Sequence, residues 1–123
     1  MSAILNFEVD QGSSMTYTFN LKQQDGEPFN LTDIDARLQV RRSYGATSTL
    51  MNCTLANGKL VVVNAALGML AWVISPLDTT GIPFAAKEDE SLETVYDLEL
   101  QSASAKVYKP CKGTLTLNRE VTR

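Results

Sequence analysis

The sequence predicts an all-β domain, a sandwich or barrel of about eight or nine short strands, on three observations. "MTYTFNL" alternates Met15, Tyr17, Phe19 and Leu21 with Thr16, Thr18 and Asn20, which is the period of a strand with one buried face. Turn chemistry recurs at sandwich spacing, in Gly12-Ser13-Ser14, Asp25-Gly26 and Asn57-Gly58. The only helix-friendly window, "AAKEDESLET", carries an acidic run that reads better as a solvated loop.

Each element follows from the same rhythm. "ILNFEV" is a first short strand with Leu5, Phe7 and Val9 on one face, and "MTYTFNL" is the second. Gln24-Asp25-Gly26-Glu27-Pro28 is a turn, because glycine tolerates positive φ and proline blocks an immediate central strand. "FNLTDID" leads into "ARLQVRR", where Ala36, Leu38 and Val40 face inward and Arg37, Gln39 and Arg41 outward. "TSTLMNCTL" and "KLVVV" flank the hairpin dipeptide Asn57-Gly58. "GMLAWVIS" puts Leu70, Trp72 and Ile74 on one face, and Pro76 to Pro83 is a short helical turn bracketed by prolines. "VYDLELQ" turns Tyr96, Leu98 and Leu100 inward, and "AKVYKP" and "GTLTLN" complete the set. Trp72, Tyr96 and Phe19 are the expected core anchors, and the tryptophan N–H needs a partner. Residues 1–117 form the domain and residues 118–123 a C-terminal tail.

Composition narrows the function. The chain's 123 residues suffice for one hydrophobic core. A net charge of −3 disfavours nucleic acid as a partner by bulk attraction. There is no histidine, so the commonest general base and metal ligand is missing. The N-terminal stretch is not built like a secretory signal, and the longest apolar run is cut by Asn64 and Gly68, pointing to a soluble protein made in the cytoplasm. Ser13 and Ser14 have no base to activate them. The acids Asp33, Asp35, Glu88, Asp89 and Glu90 lie in turns and loops, where carboxylates are solvated, and the 88–93 run lacks calcium-loop spacing. The glycines Gly12, Gly26, Gly45, Gly58 and Gly68 are isolated turn glycines that make no phosphate loop. The expectation is therefore no enzyme, cofactor, metal or small-molecule substrate, with no membrane or nucleic-acid partner.

Cys53 and Cys111 read as two reduced, partly buried thiols, the other reading being a disulfide between sheets. Arg37 and Arg41 project from one strand face and Arg42 from the other. They make either an ordinary polar face or a contact surface for the acidic 88–93 loop of an adjacent copy, head to tail. Charge also divides along the chain: acids dominate Lys87 to Glu99, while Lys106, Lys109, Lys112, Arg119 and Arg123 make the end basic.

At "YDLELQSASAKVYKPCKGTLTLNREVTR" the chain resembles small virion proteins of tailed phages. These end in a Tyr-Asp-Leu strand (here Tyr96-Asp97-Leu98), a hairpin, a Gly-Thr-hydrophobic-Thr-hydrophobic strand (Gly113 to Leu117) and a terminal Val-Thr-Arg (Val121 to Arg123). Upstream, "YTFNLKQQDGEPFNLTDIDARLQVRR" is similar to the opening of the upper baseplate proteins of lactococcal phages. It is also similar to the β-sandwich family that includes the collar protein to which L-shaped tail fibres attach. The hairpin "SASAK" departs from the Asp-Gly turn those relatives carry. The resemblance implies an immunoglobulin-like antiparallel β-sandwich in a virion, at a tail collar, a baseplate or a fibre attachment point. It implies a homo-oligomer, ring-like, contacting other phage structural proteins. Candidate contacts are Arg37, Arg41, Arg42, Glu88, Asp89, Glu90, Arg119, Val121 and Arg123, the last three on a tail that extends a sheet edge into a neighbour. A head decoration or neck protein, or a carbohydrate-binding module using exposed Tyr44 and Tyr108, are the alternatives.

Overall fold

A computed structural model describes residues 3–84 and 90–120. Among these residues nine strands form two sheets: β1 (Ala3–Ile4), β2 (Phe7–Asp10), β3 (Met15–Asn20), β4 (Asp35–Arg41), β5 (Met51–Thr54), β6 (Leu60–Asn64), β7 (Met69–Ile74), β8 (Ser91–Gln101) and β9 (Val107–Asn118), with helix α1 (Pro76–Thr80) before β8. The larger sheet runs β1-β9-β8-β4-β5, with β2 also on β9, and the smaller runs β3-β7-β6. The pairs of β1 and β2 with β9 are parallel and all others antiparallel. Lettered in chain order, the small sheet is B-E-D and the large one G-F-C-C′ with the first strand added on G. This is the strand order of an immunoglobulin-like sandwich.

The alternation places the core as expected. Leu38, Trp72, Leu98, Leu115 and Leu117 are fully buried between the sheets, and Phe19 and Tyr96 nearly so. Trp72 stacks on Phe19 at 6.4 Å and meets Phe7 edge-on at 5.8 Å and Tyr96 at 5.3 Å. Its indole N–H, contrary to expectation, has no hydrogen-bond acceptor among the described residues, and the adjacent Cys53 thiol is its polar neighbour.

Four boundaries differ from the sequence reading. The first strand is broken at Leu5 and Asn6, since the Leu5 carbonyl turns inward to accept the Tyr96 hydroxyl at 2.7 Å. Asn6 Oδ1 then takes the Thr114 N–H at 3.0 Å, repairing the ladder with a side chain. The acidic "AAKEDESLET" window is not loop throughout, because β8 begins at Ser91 to pair with Asn118. "AKVYKP" and "GTLTLN" are one strand, β9, carried past an irregularity opposite Leu98/Leu100. β9 also runs one residue beyond the expected domain end, and the Arg119 N–H continues the pairing to Glu90 O at 2.7 Å.

Cys53, Leu38, Leu98 and Cys111 lie in one register row across β5, β4, β8 and β9. Three strand spacings separate the cysteines by about 14 Å, twice the roughly 6.8 Å that a disulfide spans between Cα atoms. Both are free and buried, as in the reduced-thiol reading, and burial pushes Cys53 up to about 11 and Cys111 to about 12.

α1 closes the smaller sheet's end. The Asp78 carboxylate accepts the Ser75 N–H at 2.7 Å and hydroxyl at 3.0 Å and pairs with Lys59 at 2.8 Å. Burial alone would raise its pKa, but the Lys59 and Ser75 hydrogen bonds outweigh that and hold it below 3.8. The stabilisation is therefore complete above the unfolded value and disappears as pH falls through the lower folded one. Asp78→Asn should lower stability near neutrality by about 1 kcal/mol, discounted for the half-exposed Lys59. Thermal melts of wild type and variant should then converge in strong acid; a gap unchanged with pH would remove the charge from this account.

Candidate functional site on the outer face of the larger sheet

The outward residues of β2, β9, β8 and β4 form one broad polar surface, and strand register arranges it in rows. Near the start of β8, Glu93 stands opposite Thr116, which pairs in turn with Glu8, and Ser91 opposite Asn118, which pairs with Asp10. The Asn118 amide donates to Glu8 at 2.5 Å and Asp10 at 3.2 Å, gathering the carboxylates at this end. Midway, Val95 lies beside Arg41 and Thr114, and Asp97 beside Gln39 and Lys112. Near the end of β8, Glu99 lies beside Arg37.

The far end is an ion-pair network. Arg37 Nη2 reaches Glu99 Oε1 at 3.0 Å, and Lys109 Nζ stands 3.9 Å from both Glu99 and Asp97. Arg41 donates to Ala46 O at 2.9 Å and Gln39 Oε1 at 3.1 Å, so its guanidinium is held in place by neutral acceptors. These groups line a shallow depression of 220 Å³, at which Tyr44 stands 69% exposed. Solvated pairs of this kind contribute about 0–1 kcal/mol to folding, so they are cheaply re-paired with a docking surface.

The predicted contact residues separate on inspection. Arg37 and Arg41 share the outer face, as expected. Arg42 does not take the opposite strand face: β4 ends at Arg41, and Arg42 sits in the following bend with its guanidinium donating to Pro83 O. Arg119 belongs to no free tail, because its guanidinium lies 4.4 Å over the Phe84 ring and its backbone is paired with Glu90. Nor is the last strand a sheet edge, since β9 is paired on both sides, by β8 and by β1 and β2. Glu90 is exposed at the entry to β8. Glu88, Asp89, Val121 and Arg123 lie outside the described residues.

Sequence reasoning missed Glu8 and Asp10. Their outward alternation with Phe7 and Val9 was legible, but their place on this face depends on parallel pairing across more than 100 residues. Among the weighed alternatives, Ser13 Oγ donates to Asp10 O at 2.6 Å as part of its turn. Of the two rings offered for carbohydrate, Tyr108 is turned against Phe29 at 5.1 Å, leaving Tyr44 exposed. Among the described residues no group of three or more metal-ligating side chains assembles. Among the described residues no helix is long and apolar enough to cross a membrane.

No protein-family model matches the chain, and no curated protein matches it. Among solved structures it is similar to murine CRIg, with 10% identity over 94% of this chain and 92% of that one, at a TM-score of 0.41. It is also similar to Drosophila OTK extracellular domains 3–5, with 15% identity over 91% of this chain and 32% of that one, at 0.39. A further similarity is to ACE19, the collagen-binding subdomain of the Enterococcus faecalis surface protein ACE, with 14% identity over 89% and 78%, at 0.32. Likeness at this level carries no functional argument.

Proposed function

We propose that the chain is a structural protein of a tailed-phage virion: a collar or baseplate component, or an adaptor for tail-fibre attachment. It acts through protein–protein contacts in a ring-like assembly and performs no catalysis. The observation that carries this reading is the outer face of the larger sheet. Its charged side chains are partly or fully exposed and pair with one another at the surface, poised for exchange with a partner rather than for chemistry. The "YDL", "GTLTL" and "VTR" resemblances supply the setting. The small sheet offers a second contact: among the described residues the β3 edge opposite β7 has no strand on it, and a groove lined by Leu5, Tyr17, Leu21 and Pro110 runs beside it. An added strand there would gain main-chain hydrogen bonds.

The test is particle fractionation with immunogold labelling. The protein should band with intact particles and label the tail region. Recovery only as free protein in the lysate would reject the reading, and labelling of the head would shift it to the decoration alternative.

A further inference from the structure

The free edge of β3 in the smaller sheet is left open for a strand, and we infer that its occupant is the same edge of a second copy, run antiparallel across a two-fold axis. This rests on the assembly reading and deepens it by naming one partner and its register. An open edge invites another strand, and proteins blunt it with charge, bulges, short strands or local covers. The other edges are guarded in these ways. β1 and β2 are two and four residues long, break at Leu5 and Asn6, and carry Glu8 and Asp10. Beside the four residues of β5, the Asn57 side chain donates to Asn52 O at 2.7 Å and accepts the Thr54 N–H at 3.0 Å. β6 is bulged between Val62 and Asn64. β3 has none of these devices: its six residues pair with β7 in unbroken register and include no charge, proline or glycine.

The pairing with β7 fixes which backbone groups are open. The Leu21 N–H donates to Gly68 O at 2.9 Å, continuing the register that sets Phe19 opposite Leu70. Antiparallel bonding alternates, so Phe19, Tyr17 and Met15 also face β7, and the N–H and C=O groups of Thr16, Thr18 and Asn20 point away from it. Among the described residues no strand meets them. Self-pairing with Thr18 on the axis sets Thr18 opposite its own copy and Thr16 opposite Asn20 twice, giving about six main-chain hydrogen bonds. Facing threonines are a favourable cross-strand pair. Lys22, the nearest charge along the edge, falls opposite Ser14 and meets no like charge. A foreign strand could make the same bonds, but each copy holds one such edge, so an isologous pair leaves no unguarded edge behind and stops at two. The result is one six-stranded sheet, β6-β7-β3 continued by β3-β7-β6, with no charged residue in any of its strands. A ring would then be built from such dimers joined through another surface.

Sedimentation and cross-linking test the inference. Wild type should sediment as a dimer that persists in high salt, since no ion pair holds it. Thr18→Lys and Thr18→Glu each set like charges face to face on the axis and should weaken self-association by about tenfold or more. Their equimolar mixture should dimerise again as a mixed pair. Thr18→Cys reads the register directly. Residues facing one another in a hydrogen-bonded pair have Cα atoms about 5.5 Å apart, within disulfide reach, so diamide should give a covalent dimer. Thr16→Cys should not cross-link, because its two copies stand four residues apart along the ladder, roughly 13 Å. The native thiols are buried and do not compete. Monomeric wild type overturns the inference and leaves the edge to a foreign strand. A wild-type dimer whose Thr18→Cys variant forms no covalent pair overturns it too. Because particle fractionation is scored separately, a monomer found in virions would defeat this dimer alone, and a dimer absent from virions the phage reading alone.

Discussion

Replacing Trp72 with alanine is expected to lower the unfolding free energy by about 3–5 kcal/mol, the largest effect of any single side chain here. The ring is fully buried between the sheets and touches Phe7, Phe19 and Tyr96, so its removal leaves a cavity lined by rings that stack or meet edge-on. Those rings cannot collapse into the space without giving up their geometry, so the cost falls high in the usual range. With total stabilities of about 5–15 kcal/mol, the variant should be substantially unfolded at modest urea concentrations. Trp72→Phe separates packing from polarity. It loses volume but also removes an N–H that is buried without an acceptor, so its loss should be well under half that of alanine. Urea denaturation followed by circular dichroism measures both. Equal losses for the two variants would mean that the indole N–H contributes a bond the geometry does not show.

What the sequence could reveal follows from which interactions are local. Period-two alternation depends on the strand alone, so Phe19, Leu38, Trp72 and Leu98 face inward as the sequence predicts, and turns at Gly12, Gly26, Gly58 and Gly68 appear with positive φ. The "SASAK" hairpin also forms, with Ala105 at φ 66, where a glycine would sit without strain. Pairing partners were not legible. That β9 lies inside the sheet, and that Arg37 is met by Glu99, are consequences of cross-strand register fixed by residues more than 60 positions apart. The acidic start of β8 was hidden for the same reason: Leu92 and Thr94 are drawn into a strand by Leu117 and Leu115, against a composition that favours a loop. The candidate face was therefore half visible, its arginines from alternation and its carboxylates only from the fold.

Gly113→Ala is expected to cost about 2–4 kcal/mol, combining overpacking with the loss of a buried hydrogen bond. Gly113 opens the "GTLTL" strand and sits opposite Tyr96, facing the interior. A Cβ there would lie 2.0 Å from the Leu5 carbonyl oxygen and 2.8 Å from Asn6 Oδ1. The obstacle is backbone, so it cannot rotate away as a flexible side chain would. Leu5 O is also the acceptor of the Tyr96 hydroxyl, and burial drives that phenol's pKa upward, keeping it protonated and able to donate. Gly113 thus makes room for the kink that divides β1 from β2, and Tyr96 holds that kink in place. Tyr96→Phe alone should cost about 1 kcal/mol, and the double variant less than the sum of the two, since both act through one carbonyl. Hydrogen exchange gives the local readout: the Phe7–Asp10 amides should lose protection in Gly113→Ala while β3 and β7 keep theirs. Wild-type stability with an unaltered β2 exchange pattern would show that the chain's opening can relocate freely, and that the glycine in this motif has no structural role.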